Sequence, residues 1–434
     1  MKARLAGTAL IGLLQAVHLG VPAPAAARTV QDAALEGPPV RRITLDEALG
    51  LLAANLEFRI AHRVAAEAKA LVLASGAYPN PTVSATHETL EAVGLRQSES
   101  YFTLSQRVEW PSLREARRTA ASRRAAAARF RVAADSAALA FRVKSAYVHA
   151  ALAEREARTL ERVVEVFRRA GSSMEARFAE GDASLYDTRR VEVERVRYEA
   201  ALANALLELG ATQRELALLV APGTDDLRLA PAEPPVGMPP AVDPGDLAGP
   251  ALARRAEVAA SESEVRALEA ELRRSRALRL PELAASGGYK RQSDGFGGVF
   301  LGMSLPLPLW NRSAGEIQAA AERVTAEETR LALTRREVEE DVRAALAEYR
   351  SHLRRAALLT PPGAGGQADL LSIAEVAYET GGMDLAGLLD AAEALSGAEA
   401  AVARMEAELW IGYYNLERAV GGFGGPVQEA EEGQ

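Results

Sequence analysis

The sequence predicts a mainly α-helical chain with a small β part, laid out twice over. Three observations carry this. Apolar residues are 48% of the chain but aromatics only 5%, so alanine supplies much of the apolar surface, as in residues 125–128. Alanine-rich helices approach one another closely and suit thin coiled layers better than a thick core. Four segments of about ten residues alternate apolar and polar side chains, and they come in two widely separated pairs. Long segments beside them repeat apolar residues every seven positions.

The duplication is read from positions two hundred apart. Pro81 matches Pro281, Val83 matches Leu283, and Trp110 matches Trp310. Phe178 matches Tyr378, Gly181 matches Gly381, Leu185 matches Leu385, and Val220 matches Val420. Residues 199–220 aligned with 399–420 give eight identities in 22 positions. Alanine bias alone accounts for about two or three. The expected divisions are a secretory signal over 1–27, a first helix–hairpin–helix repeat over 28–220, a proline-rich linker over 221–250, a second repeat over 251–420 and a disordered tail over 421–434.

Taken in order, the N-terminus has Lys2 and Arg4, an apolar stretch over 5–14 and the small residues Ala25, Ala26 and Ala27. That is the pattern of an export signal, too short for a comfortable membrane-spanning helix. Its removal takes two positive charges from a net −8. A helix is expected over about 44–74, opened by the capping box Thr44-Leu-Asp-Glu47. Strands are expected at about 82–91 and 99–110, then a helix over 112–170 roughly 90 Å long, a break, and a helix ending at Val220. After the linker the order repeats: a helix over 251–278, strands at about 282–292 and 297–309, a long helix, and a helix ending at Val420. The segment "TPPGAGGQ" (360–367) interrupts the second half and reads as a kink.

Within the strands, Phe102, Leu104, Gln106 and Val108 alternate with Tyr101, Thr103, Ser105 and Arg107. Val299, Leu301, Met303, Leu305 and Leu307 alternate with Phe300, Gly302 and Ser304. Ten alternating residues are what a tilted strand needs to cross a bilayer core, although a small soluble sheet would read the same way. Four strands cannot close a membrane barrel, and an open edge in lipid leaves backbone groups unpaired. Strands in a membrane would therefore be shared among chains, three chains giving twelve. The joints from strand to helix carry Trp110, Pro306, Pro308 and Trp310: proline ends ladder pairing, and tryptophan suits a membrane interface. In the long helices, Val324, Leu331 and Val338 are seven apart, followed by Val342, Leu346, Tyr349 and Leu353. Ala137, Phe141, Val148 and Leu152 form a similar seam.

Several function classes are excluded. The chain has no cysteine, which rules out disulfides, thiolate chemistry and a lipidated N-terminal cysteine. The five histidines, His18, His62, His87, His149 and His352, form no metal-ligand pair. No phosphate-binding or nucleophile motif is present, and the glycine-rich 421–426 follows no strand. Acidic pairs such as Glu339-Glu340 lie on a charged helix face and read as solvated. No catalytic residue, cofactor or metal site is expected. The net charge of −8 gives no reason to expect nucleic acid as a partner, and no basic face stands out.

On "RLPELAASGGY" (279–289), "GMSLPLPLWNRSAGEIQAA" (302–320) and "AYETGGMDLAGLLDAAEAL" (377–395), together with the duplicated plan, the chain resembles the TolC-like outer-membrane efflux proteins. "SLPLPLWNR" is most similar to the cobalt–zinc–cadmium resistance branch. The resemblance implies a homotrimer in outer-membrane lipid, with a twelve-stranded barrel and a helical tunnel across the periplasm of a Gram-negative bacterium. It implies docking through a periplasmic adaptor onto an inner-membrane pump, of the resistance–nodulation–division type. The expected activity is efflux of small molecules or metal ions. A protein-secretion exit duct and, from another class, a soluble periplasmic coiled-coil scaffold stay open. The resemblance also places the far tip at the turns "FAEGDASL" and "YETGGMDL". Gly181, Gly381 and Gly382 are then turn residues, Leu185 and Leu385 pack just inside, and Asp182 and Asp384 add acidity at the mouth. Asp390 falls at a position where relatives narrow the tunnel with an aspartate ring. Gly387 and Met383 depart from the acidic and basic residues often found at their positions.

Overall fold

The computed structural model describes residues 40–223, 227–243, 245–307, 313–359 and 367–423. The expected signal, Pro308, Trp310, most of the 360–367 break and most of the C-terminal tail lie outside the described residues. Contacts divide the chain into residues 1–39 and Val40–Gln434, and every described element belongs to the second unit.

The chain begins with strand β1 (Val40–Ile43), helix α1 (Leu45–Gly50), a 3-10 turn (Leu51–Ala54) and helix α2 (Leu56–Gly76). The capping box forms as its spacing requires: Thr44 Oγ1 accepts from Glu47 N–H, and Glu47 Oε2 accepts from Thr44 N–H. The single helix expected over 44–74 is instead broken at Asn55. Asn55 is extended (φ −60°, ψ 136°), and its side chain caps α2 by accepting from Glu57 and Phe58 N–H. An internal asparagine that caps a second helix competes with continuation of the first.

Strands β2 (Thr82–Ala92) and β3 (Leu95–Val108) form a hairpin closed by two residues, Val93 and Gly94. Gly94 has φ 81°, which a tight hairpin turn demands and glycine supplies freely. The turn is thus shorter than expected, and β3 starts four residues before 99. Helix α3 (Pro111–Glu180) runs for 70 residues, on the order of 105 Å, with Pro111 at its first position. Helix α4 (Leu185–Val220) returns beside it.

The linker is more structured than an extended strap. Strand β4 (Arg228–Pro231) pairs in parallel with β1. Arg42 donates to the Pro231 carbonyl at 2.8 Å, and Trp410 Nε1 donates to the Gly237 carbonyl at 3.1 Å. Helix α5 (Ala248–Arg254) already begins inside the expected linker, where Asp246 accepts from Ala248 N–H. The helix expected over 251–278 is also split, at Arg255, between α5 and α6 (Ala256–Ala277). Strands β5 (Leu283–Gln292) and β6 (Gly297–Ser304) follow, and β6 stops short of the expected 309. Leu305, Pro306 and Leu307 lie outside the ladder, because proline has no N–H to donate. Helices α7 (Ala314–Leu359), α8 (Gln367–Glu379) and α9 (Leu385–Ala419) complete the described chain.

The four long strands make one antiparallel sheet in the order β2-β3-β5-β6. The helices continue that order, since α2 packs on α3, α3 on α6, and α6 on α7. Each strand thus feeds the helix in the same column, a single layer of β becoming a single layer of α. Burial follows the heptad seams: Val338, Val342 and Tyr349 are buried against Leu409 and Leu416. Apolar packing is spread over four separate clusters, as alanine-rich pairs without large side chains dictate.

Candidate functional site

The sheet sorts its side chains cleanly by face. Directly paired residues share a face. One face carries the rows Val83–Leu104–Gly287–Leu301, Ala85–Phe102–Tyr289–Val299 and Gln106–Ala285–Met303, with Val108 paired to Leu283. The other carries Thr82–Ser105–Ser286–Gly302, Ser84–Thr103–Gly288–Phe300 and Thr86–Tyr101–Lys290–Gly298. The first face is apolar and the second is polar. Lys290 Nζ lies 2.9 Å from Glu99, which also accepts from Tyr101 and Gln292. Large apolar side chains are nevertheless exposed: Leu301 is 92% accessible and Val299 85%. No described helix covers either face, and β2 and β6 are unpaired on their outer edges. From row 102 to Trp110 the apolar face runs about 25 Å along the strand.

Trp110 ends this band. It is the N-cap residue of α3, and its Nε1 donates to the Pro281 carbonyl at 2.9 Å, joining the two hairpins at their base. Arg107 pairs with Glu282 across the same joint at 3.4 Å. Pro306, after the end of β6, is exposed.

At the opposite ends of the helices, two turns are built alike. Gly181 (φ 87°) and Gly381 (φ 76°) each end a helix in the left-handed conformation. Gly181 N–H donates to Phe178 and Asp182 N–H to Arg177; Gly381 N–H donates to Tyr378 and Gly382 N–H to Ala377. This double closure satisfies carbonyls that a helix end leaves unpaired. Ser184 caps α4, and Asp384 caps α9 by accepting from Gly387 N–H at 2.9 Å. The Asp384 carboxylate therefore has a capping task, while Asp182 stands exposed in its turn. Leu385 packs inside as expected, only 7% accessible, against a cluster with Phe167, Tyr378 and Leu388. Leu185 does not: it is 56% accessible and joins none of the buried clusters. Asp390 is exposed on α9 and, among the described residues, makes no ion pair. Met383 lies over Gly387, where a Cβ would come within 2.7 Å of its Cγ. Tyr378 is 3% accessible, and among the described residues its hydroxyl has no hydrogen-bond partner. Burial pushes that hydroxyl's pKa up.

Two arrangements escaped sequence reasoning. The first is an ion-pair seam between α3 and α9. Lys144 pairs with Glu417, Arg155 with Glu406 and Arg162 with Glu399, each at 2.5 Å, and Arg404 with Glu156 at 2.9 Å. Steps of eleven and seven residues along α3 are matched in reverse along α9, so the helices lie antiparallel in one fixed register. The heptad spacing of Arg155 and Arg162, repeated in Glu399 and Glu406, was the available signal. The second is the buried pair of helix breaks. Asn55 Nδ2 donates to the Leu219 carbonyl at 2.9 Å, and Arg255 Nη1 to the Ala419 carbonyl at 3.2 Å. Arg255 is only 9% accessible; it grips Glu257 with two bonds and Asp341 with two more. Burial alone would raise the Glu257 pKa, but the Arg255 bonds and charge outweigh it and hold the carboxyl below its ordinary value.

Among the described residues no helix is long and apolar enough to cross a membrane, and no three His, Cys, Asp or Glu side chains gather as a metal site. Residues 247–422 match the family model of outer membrane efflux proteins. No curated protein matches the chain. Among solved structures, the outer-membrane channel OprN is similar at 19% identity and TM-score 0.71, covering 87% of this chain and 90% of that one. A Pseudomonas aeruginosa membrane protein matches at 20% identity and TM-score 0.72, covering 87% and 92%. The open state of the Neisseria gonorrhoeae MtrE outer membrane channel matches at 18% identity and TM-score 0.69, covering 87% and 89%. At these identities the likeness establishes the fold.

Proposed function

We propose that the chain is the outer-membrane exit duct of a tripartite efflux pump; the match of residues 247–422 to the outer membrane efflux protein family and the fold shared with outer-membrane channels support this. The observation that carries this is the sheet: one apolar face, one polar face, two open edges, and a helix continuing every strand. Such a sheet is stable in lipid only if β2 of one chain pairs with β6 of the next, which closes the ladder. Three chains then make a twelve-stranded barrel in the outer membrane, apolar outward and polar toward the lumen. The helices below form the wall of a periplasmic tunnel. A duplicated gene is supported by the equivalent turns at Gly181 and Gly381 and the equivalent breaks at Asn55 and Arg255.

In this reading the turns at Gly181, Asp182 and Leu185, and at Gly381, Gly382, Asp384 and Leu385, form the docking tips for a periplasmic adaptor. Exposed Leu185 supplies an apolar contact there. Asp390 lines the narrow end, where three copies make a cation-attracting ring. The inner-membrane pump supplies the energy and selects the cargo, small molecules or metal ions. The "SLPLPLWNR" wording favours a metal-resistance pump of the resistance–nodulation–division type.

Fractionation and mass in mild detergent test the proposal. A heat-resistant trimer of about 130 kDa from the outer-membrane fraction is expected if three incomplete sheets share one barrel. A soluble periplasmic monomer would refute it. In planar bilayers, Asp390→Asn is expected to lower cation preference; unchanged selectivity would remove Asp390 from the gate.

A further inference from the structure

The membrane-proximal ends of α3 and α6 carry a concentration of arginine. Residues 111–124 hold Arg114, Arg117, Arg118, Arg123 and Arg124 against Glu115 alone. Residues 272–282 hold Arg273, Arg274, Arg276 and Arg279 against Glu282 alone. The whole chain is at −8, so this collar opposes the charge of the protein around it. The two segments are far apart in sequence, and the fold joins them: β3 pairs with β5, and α3 packs on α6. The outer two columns are close to neutral here, with Lys69 late in α2 and Glu316 early in α7.

Part of the collar has internal work. Arg114 bonds the Gly76 carbonyl and lies over the Tyr78 ring, Arg117 pairs with Glu109, and Arg124 with Glu271. Arg118, Arg123, Arg273, Arg276 and Arg279 are exposed, with no ion pair among the described residues. Helix electrostatics explains Arg274 and Arg276, which lie in the last turn of α6, where cations are favoured. It does not explain the α3 arginines, because Arg118 and Arg123 lie beyond the first turn of a helix that begins at Pro111, where the dipole has faded. Exposed and without an internal ion pair among the described residues, they are a group of cations open to an external negative partner. The collar starts within one helical turn of Trp110, at the foot of the apolar band.

We infer that this arginine collar is a seat for anionic phospholipid headgroups of the leaflet that borders the helices. The inference rests on the membrane-spanning reading of the sheet. Arginine matches phosphate geometry in pairs of hydrogen bonds, and each basic residue near an anionic surface strengthens attachment about fivefold. The collar would hold the strand–helix joint at fixed depth and order anionic lipid around the duct.

The test uses the full-length protein reconstituted in phosphatidylcholine, with spin-labelled phosphatidylglycerol or spin-labelled phosphatidylcholine as the probe. The expected result is a motionally restricted component that is severalfold enriched for phosphatidylglycerol and weakened by salt. The variant Arg118→Gln/Arg273→Gln/Arg276→Gln/Arg279→Gln should lose that enrichment. The variant Arg118→Lys/Arg273→Lys/Arg276→Lys/Arg279→Lys should keep most of it, which separates charge from folding. Equal restriction of both probes by the unmodified protein, or enrichment that survives the glutamine variant, overturns the collar and leaves the barrel intact. No restricted component with either probe overturns the membrane-spanning reading, and the collar with it.

Discussion

Asn55 donates to the carbonyl of Leu219 at 2.9 Å from a side chain that is 5% accessible, pinning the break between α1 and α2 to the end of α4. Its oxygen meanwhile caps α2 through Glu57 and Phe58. One amide thus satisfies both a helix start and a helix end. Asn55→Ala is expected to destabilise the protein by about 2 kcal/mol, from the lost cap and the unpaired buried carbonyl. Asn55→Asp keeps the cap and loses the donor, so it should fall between. Thermal unfolding in detergent measures both, and an unchanged Asn55→Ala midpoint would remove the pin.

Arg255 holds the corresponding break with charge, and its partners titrate. The Glu257 carboxyl lies below its ordinary value in the folded state. Its contribution is therefore complete above the unfolded carboxylate range and is lost as pH falls through the folded value. Stability should decline on acidification below about pH 4.5, and less so in Glu257→Gln. Arg255→Met should cost about 1–3 kcal/mol at neutral pH, a range discounted because Glu257 and Asp341 are partly solvated. Unfolding midpoints across an acid series decide it: parallel curves for Glu257→Gln and the unmodified protein would contradict this assignment.

Tyr414 makes the opposite pH argument. Burial, with Glu417 next in importance, pushes its pKa up to about 12. The folded state prefers the neutral phenol. That stabilisation is complete below the unfolded tyrosine value and disappears as pH rises through the folded one. Spectrophotometric titration at alkaline pH should show a late-titrating phenol that is absent from Tyr414→Phe.

The Tyr378 hydroxyl is buried at the tip without a partner among the described residues. An unsatisfied buried polar group costs stability that its deletion returns. Tyr378→Phe should be neutral or stabilising by up to about 1 kcal/mol. A loss of more than that in chemical denaturation would mean that the hydroxyl has a partner in the assembled protein.

Along the α3–α9 seam, a double-mutant cycle on Arg155 and Glu406 should give a coupling of about 0.5–1 kcal/mol, weakened by salt. Both side chains are partly solvated, so the pair sets register more than it adds stability. Zero coupling at low salt would reduce the seam to coincidence of spacing.

Much of the architecture was legible from residue order. Gly181 and Gly381 read as turns because left-handed backbone at a helix end asks for glycine. The strands read from a two-residue alternation, and the α7 seam from Val338, Val342 and Tyr349. Local rules failed where a competing local choice was nearly as good. Asn55 inside a helical pattern can cap as readily as it can continue. The β2–β3 turn shortened because Gly94 alone was enough to reverse the chain. Leu185 and Leu385 occupy equivalent places in the sequence and opposite environments in the fold.

The long helices, the two hairpins and their order were already written in the chain, since backbone propensity and side-chain period act over a few neighbouring residues, whereas the β1–β4 pairing and the breaks at Asn55 and Arg255 were not. The division of the strands into one apolar and one polar face was written there too. Which distant charges meet was settled in three dimensions. Arg118 and Arg276 come to one collar, and Arg155 and Glu406 to one seam, through the pairing of β3 with β5 and the packing of α3 on α6 and α9. Such meetings depend on register across separate helices and strands, and register is set by the packing of whole faces rather than by any single stretch of chain.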